Sequence, residues 1–154
     1  MFLVTHAAVG AIIGETTGNP ILAIIGGFIS HFLFDLIPHG DTKLYRKNDF
    51  GRRSKRAKAY VTVDAIAAIL FVLLLFNFRD FIHPINVSLG ITFGLLPDLL
   101  VGLYETGKAT RLRKFHKLHF FFHDFVIKRR GDISFRYGFL MQLIILVLLQ
   151  VRVF

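Results

Sequence analysis

The run from Tyr60 to Phe78 limits the fold of this chain more than any other feature of its sequence. It is interrupted only by Thr62 and Asp64 near its start and by Asn77 at its end. A helix needs roughly 20 predominantly apolar residues to cross the hydrocarbon core of a bilayer, and this run has about that length. Because a spanning segment must satisfy its own backbone polar groups, the run predicts a transmembrane α-helix.

Four further apolar runs extend this interpretation to the whole chain. Of its 154 residues, 54% are hydrophobic and 18 are phenylalanine, whereas a soluble domain has about 45–50% apolar residues even with glycine counted. The first run is short for a helix that spans the membrane. It either crosses the membrane together with the polar residues that follow it, or it is a re-entrant segment. The sequence predicts one all-α domain, a polytopic helical bundle integral to the membrane with about four or five membrane helices. The runs cover residues 2–18, 20–38, 60–78, 84–104 and 133–153.

Lysine and arginine concentrate in two segments between these runs, residues 39–59 and 105–132, and the net charge is +9. Short loops rich in lysine and arginine stay on the cytoplasmic side, so both segments are predicted to be cytoplasmic loops of an inner-membrane protein. The basic charge is then explained by topology and by anionic lipid headgroups. Membrane lipid is therefore the expected partner, and no nucleic acid is expected.

The second basic segment contains a histidine stripe. His116, His119 and His123 fall at i, i+3 and i+7, which places them on one helix face about 60° wide. Aromatic and aliphatic side chains flank the stripe on one side and charged ones on the other. This pattern predicts one amphipathic helix lying in the cytoplasmic interface. The stripe either faces lipid headgroups or supplies metal ligands.

The end of the second apolar run carries four residues that can bind a metal. His31 and Asp35 are four apart and share a helix face, and His39 and Asp41 follow Pro38, which ends or kinks the helix. An ionisable side chain in hydrocarbon costs several kcal/mol by most estimates, so a functional role is the default hypothesis. The alternatives are a hydrogen-bonded pair that stabilises the bundle and a set of interfacial polar residues.

Further ionisable residues converge on the same side of the predicted bundle. Asp64 begins the third run, Asp98 lies near the end of the fourth, and His6 joins them if the first run crosses. The chain has no cysteine, so a metal must be held by histidine and carboxylate; zinc is favoured, and manganese, iron or magnesium also suit such ligands. Asp41 or Asp64 is the predicted general base. The predicted metal ligands are His6, His31, Asp35, His39, Asp98, His116, His119 and His123.

Three features of the sequence carry a resemblance to a known family: Thr5-His6 near the amino terminus, Leu-Leu-Pro-Asp at 95–98 and the downstream histidines. With them the chain resembles the membrane-bound metal-dependent hydrolase family, a group of inner-membrane proteins of bacteria and archaea. The resemblance implies a hydrolase embedded in the membrane with histidine and aspartate ligands, and it extends to His6 and Asp98 and loosely to His116 and His119. The chain departs from the family pattern at residues 116–119, where His-Lys-Leu-His is shorter than the family's element, and after Asp98, where the acidic segment is missing.

The predicted function is a membrane-embedded metal-dependent hydrolase that acts at the cytoplasmic interface on a phosphoester of a lipid. Nearby lysine and arginine side chains suit a phosphate group. Two other functions stay open. The first is a divalent metal or proton transporter that uses the same residues, and the second is a non-catalytic membrane scaffold. Transport requires polar residues that continue toward the other leaflet, whereas residues 66–76 are almost purely apolar.

Overall fold

A computed structural model of the chain describes residues 1–41 and 55–153, and in these ranges it shows six α-helices and no strand. The all-α prediction is confirmed, and each predicted run contains a helix. Residues 42–54 of the predicted basic loop 39–59 lie outside the described residues, and residues 55–59 belong to a helix rather than to a loop. The helices are α1 (Leu3–Thr17), α2 (Pro20–Asp35), α3 (Lys55–Phe78), α4 (Pro84–Glu105), α5 (Arg113–Arg130) and α6 (Phe135–Val153), with a 3-10 turn at Thr110–Leu112.

The ends of α2 are set by local sequence. The helix begins at Pro20, whose missing N–H group costs nothing in the first turn, and the Asn19 side chain accepts hydrogen bonds from the next two backbone N–H groups. It ends at Asp35, shortly before Pro38. The predicted stop is therefore confirmed, and His39 lies in the turn that follows the helix.

Three helices, α1, α2 and α4, form the packed centre of the molecule. Glycines make this packing possible, because a Cβ atom at Gly27 of α2 would collide with the carbonyl group of Gly90 in α4. Small residues allow helix backbones to approach closely where there is no room for a larger side chain. The close approach of α2 and α4 places the end of α2 beside Gly94 and Asp98 of α4.

Within the described residues, two helices are long and apolar enough to cross a membrane: Lys58–Phe78 within α3, and α4 over Pro84–Glu105. Only 11% of the most apolar 18-residue window of α3 is buried inside the protein. A core helix of a soluble protein would bury that apolar surface, whereas a helix in lipid leaves it exposed. α1 and α2 have 15 and 16 residues, so the total of four or five membrane helices stays a prediction.

Candidate metal centre

Four side chains from three helices converge in what we name the first group: His31 and Asp35 of α2, Asp98 of α4 and His119 of α5. The Nε2 atom of His31 lies 3.2 Å from Oδ2 of Asp35 and 3.7 Å from Oδ1 of Asp98. The Nε2 atom of His119 lies 3.6 and 3.7 Å from the same two oxygens. A tetrahedral ion with ligands at about 2.0–2.2 Å requires neighbouring ligand atoms roughly 3.3–3.6 Å apart. The four distances are close to that requirement.

A second group comprises His39, Asp41 and His123. Oδ2 of Asp41 lies 3.2 Å from Nε2 of His39 and 3.4 Å from Nε2 of His123. His123 is one helical turn beyond His119 on α5, and the two rings are 6.2 Å apart between centroids. The two groups are therefore neighbours, linked by a single face of α5.

Backbone carbonyl groups fix the orientation of one histidine in each group. The Nδ1 atom of His31 donates to the carbonyl of Gly94 at 2.9 Å, and Nδ1 of His39 donates to the carbonyl of Ile37 at 2.7 Å. Because a carbonyl group only accepts, each ring carries a proton on Nδ1 and directs its Nε2 into its group. Histidines that bind metals are held in this way, with the other ring nitrogen bonded to a carbonyl or carboxylate oxygen.

Three side-chain atoms of these groups are buried without a hydrogen-bond partner among the described residues: Nε2 of His31, Nδ1 of His119 and Oδ1 of Asp41. Leaving a buried donor or acceptor unsatisfied costs about 1–3 kcal/mol. A cation bound in each group would satisfy Nε2 of His31 and Oδ1 of Asp41, but it would contact His119 through Nε2 and leave Nδ1 of that ring unchanged. The donor set, the distances and the first two atoms together fit a divalent metal ion.

His119 and His123 are neighbours on α5, but their surroundings shift their pKa values in opposite directions. Burial lowers the pKa of His119 to about 4 despite the nearby carboxylates, so this ring is neutral near pH 7, as a metal ligand must be. Burial also lowers the pKa of His123, but the hydrogen bond to Asp41 and its charge outweigh that effect and raise it to about 9. Without a metal this ring is therefore cationic near pH 7, and an ion bound in the second group would have to displace its proton. Burial of Asp41 is likewise outweighed by the bonds from His123 and His39, which hold its pKa well below the usual range.

No protein-family model, curated protein or solved structure matches this chain. The assignment of function therefore depends on the geometry of the two groups and of the cavity beside them.

His6 lies at the edge of the first group. Its Nε2 atom is 3.2 Å from Oδ1 of Asp35, and its ring stacks on that of His31 with centroids 4.1 Å apart. The amino nitrogen of Met1 lies between the groups, 2.6 Å from Oδ1 of Asp35 and 2.9 Å from Nε2 of His39. No residue pattern could have indicated this contact, because a backbone amine has no signature in a sequence.

Besides His6, which contacts Asp35 but belongs to neither group, two further predicted site residues lie outside both groups. His116 contacts Oε1 of Glu105 at 3.3 Å, so the structure separates it from the other two histidines of the stripe. Asp64 accepts a hydrogen bond from the backbone N–H of Leu3 at 3.0 Å. Asp64 nevertheless borders the cavity of about 820 Å³ that opens beside the first group.

Proposed function

We propose that the protein is a membrane-embedded metal-dependent hydrolase that cleaves a phosphoester of a lipid at the cytoplasmic interface of the inner membrane. The observation that carries this proposal is the first group. Its two imidazole nitrogens and two carboxylate oxygens come from three helices and lie within 4.8 Å of one another. The four nitrogen–oxygen distances, 3.2–3.7 Å, are close to the spacing that one tetrahedral ion requires. The cost of burying ionisable groups in a membrane protein supports a functional reason for their convergence.

His31, Asp35, Asp98 and His119 would hold the ion, with zinc favoured by a ligand set of two nitrogens and two oxygens. Four protein ligands fill a tetrahedral site, so a water or phosphoryl oxygen would have to enter as a fifth ligand; an ion bound in this way would lower the pKa of the water and polarise the phosphoryl oxygen. The neutral state of His119 near pH 7 suits it as a ligand.

A carboxylate outside the first group is needed to accept a proton. Asp64 borders the same cavity and belongs to neither group. Asp41 is already engaged by His39 and His123. Asp64 therefore suits the role of general base better than Asp41, because its carboxylate is not shared between two imidazoles.

Cationic and hydroxyl groups at the rim of the cavity suit a phosphate substrate. Thr106 and Lys108 both line the cavity, in the segment after α4, and both are exposed. A hydrogen bond from an ammonium group to a phosphate oxygen is charge-assisted and stronger than a neutral one. These two residues would orient the phosphoester toward the first group.

The other end of the bundle supports hydrolysis over transport. Ala7, Ala11, Leu75, Val87 and Ile91 form a buried apolar cluster, and Ile91 also lines the cavity. A transporter would need polar groups that continue toward the opposite leaflet, and none belongs to this cluster. A scaffold would not account for Nε2 of His31 and Oδ1 of Asp41, two buried atoms without a hydrogen-bond partner among the described residues.

Metal content tests the proposal. We expect elemental analysis of detergent-purified protein to show stoichiometric divalent metal in the wild type and a loss in His31→Ala and His119→Ala. His116→Ala is the matched control, since it removes a histidine from the same helix as His119 but outside both groups. Metal-dependent phosphate release from phosphatidic acid in mixed micelles would follow. Wild-type protein without metal, when folded and purified without chelator, would overturn the proposal.

A further inference from the structure

The cavity beside the first group continues as a groove between α3 and α4. Its polar end is bordered by Asp35, Asp98 and His119, and its remaining walls are mostly apolar. A ligand that fills it must therefore be polar at one end and apolar along its length. The apolar walls are formed by Ala65, Ala68, Val72 and Leu73 of α3 and by Leu95 and Leu99 of α4.

The groove exists because α3 and α4 are held apart. Within the described part of the chain, each of the two helices packs on α1, and neither packs along the other. Near the turn that connects them, Leu75 of α3 belongs to the same buried cluster as Val87 and Ile91 of α4. Ala65 and Ala68 lie one turn apart, so their small side chains leave space where larger ones would fill it.

The groove is open to the side that lipid would occupy. Ile69 and Leu73 line it and are nevertheless 61% and 62% exposed. Its lining runs along α3 from Val61 to Leu73, a length of roughly 18 Å at a rise of about 1.5 Å per residue. One leaflet contributes about half of the roughly 30 Å hydrocarbon core, so the groove has the length of a lipid chain.

We propose that this groove holds a hydrocarbon chain of the substrate, which enters sideways from the bilayer and brings its phosphoester beside the first group. The chemistry at the polar end rests on the proposed hydrolase function, whereas the fit of the chain rests on the groove alone. The substrate class is therefore a membrane lipid with a phosphate headgroup, and water-soluble phosphoesters bind poorly because they leave the apolar walls uncovered.

Tryptophan fluorescence tests the proposal directly, because the chain contains no tryptophan. Leu73→Trp places the probe in the groove, and Leu74→Trp is the matched control. Leu74 is the next residue and is 54% exposed, close to the 62% of Leu73, but only Leu73 lines the groove. The quencher is phosphatidic acid with brominated acyl chains, added to protein in a detergent that carries no bromine. We expect saturable quenching of Leu73→Trp at a few lipids per protein and several-fold weaker quenching of Leu74→Trp.

A second pair of variants tests whether the groove itself is required. Thr92 is exposed and lines the groove, while Ser88 is exposed on the same helix one turn away and does not. Both hydroxyl groups donate to the carbonyl four residues earlier. In the Leu73→Trp background we expect Thr92→Phe to abolish the selective quenching and Ser88→Phe to retain it.

The outcomes separate this inference from the proposed function. Equal quenching of Leu73→Trp and Leu74→Trp would overturn the proposal that the groove holds a lipid chain. Lipid or a second copy of the chain would then cover the surface of α3 without entering the groove. If the same preparations contained stoichiometric metal, the proposed hydrolase function would still be supported. Selective quenching in protein that binds no metal would support the lipid-binding groove and reject the hydrolase function.

Discussion

The two groups of histidine and aspartate are held in different ways. The first group is assembled from three packed helices, and the completely buried His31 is anchored to the backbone of α4 through Gly94. The second group takes His39 and Asp41 from the turn after α2 and only His123 from a helix. The geometry of the first group is thus a property of helix packing. That of the second depends on a turn and on one face of α5.

This difference predicts that the groups respond separately to mutation. A change between packed helices should alter the first group, because every one of its ligands is on a helix. A change that reorients His123 should alter the second alone. Variants that affect both groups equally would show instead that they form one unit.

The largest effect is expected from Asp35→Ala. Its carboxylate contacts His6, His31, His119 and the amino nitrogen of Met1. Losing it should cost more than the roughly 10–100-fold in affinity that removal of an outer hydrogen-bond partner costs. Competition with a chromophoric chelator would measure the loss, with the second group keeping its ion. Asp41→Ala is the mirror variant and should empty only the second group; simultaneous loss from both would contradict the separation.

Gly27→Ala should weaken the helix packing on which the first group depends. The added Cβ would collide with the carbonyl of Gly90, and overpacking costs about 1–3 kcal/mol of unfolding free energy. We expect a lower unfolding midpoint in detergent and weaker metal binding in the first group only. Gly102→Ala is the control, because a Cβ there meets no heavy atom within 4 Å. Equal midpoints for the two variants would contradict the close helix contact.

A smaller effect, confined to the second group, is expected from Asp124→Ala. The Nδ1 atom of His123 lies 3.1 Å from Oδ1 of Asp124, so this carboxylate orients the ring. Loss of such a partner should weaken metal binding at the second group by about tenfold. Lys128→Ala controls for charge, since Lys128 pairs with Asp124 but is 72% exposed. A matching loss at the first group would show that α5 moves as a whole.

The smallest effect is expected from His116→Ala. This side chain contacts Glu105 and is in neither group. Metal affinity should stay within about twofold of the wild type, as for a surface substitution away from the site. Isothermal titration with zinc would measure it. A clear loss would restore His116 to the ligand set that the histidine stripe predicted.

The helices were largely predictable because their signals are local. The apolar run Tyr60–Phe78 and the breaker Pro38 act within a few residues, and α2 and α3 follow them, although α3 begins at Lys55, in the segment predicted as a loop. The spacing of four also placed His31 with Asp35 on one face. The stripe over residues 116–123 likewise predicted α5, since a helix face depends only on neighbouring residues.

The composition of each group was decided by the tertiary structure. His116 and His119 belong to the same stripe, yet only His119 meets Asp35 and Asp98, because the position of α5 against α2 and α4 selects the ring that reaches them. The close approach at Gly27 brings α2 and α4 together. The sequence by itself determined which residues could bind a metal. The packing of helices distant in sequence decided which of them meet, since such contacts depend on crossing angles and register that no local pattern specifies.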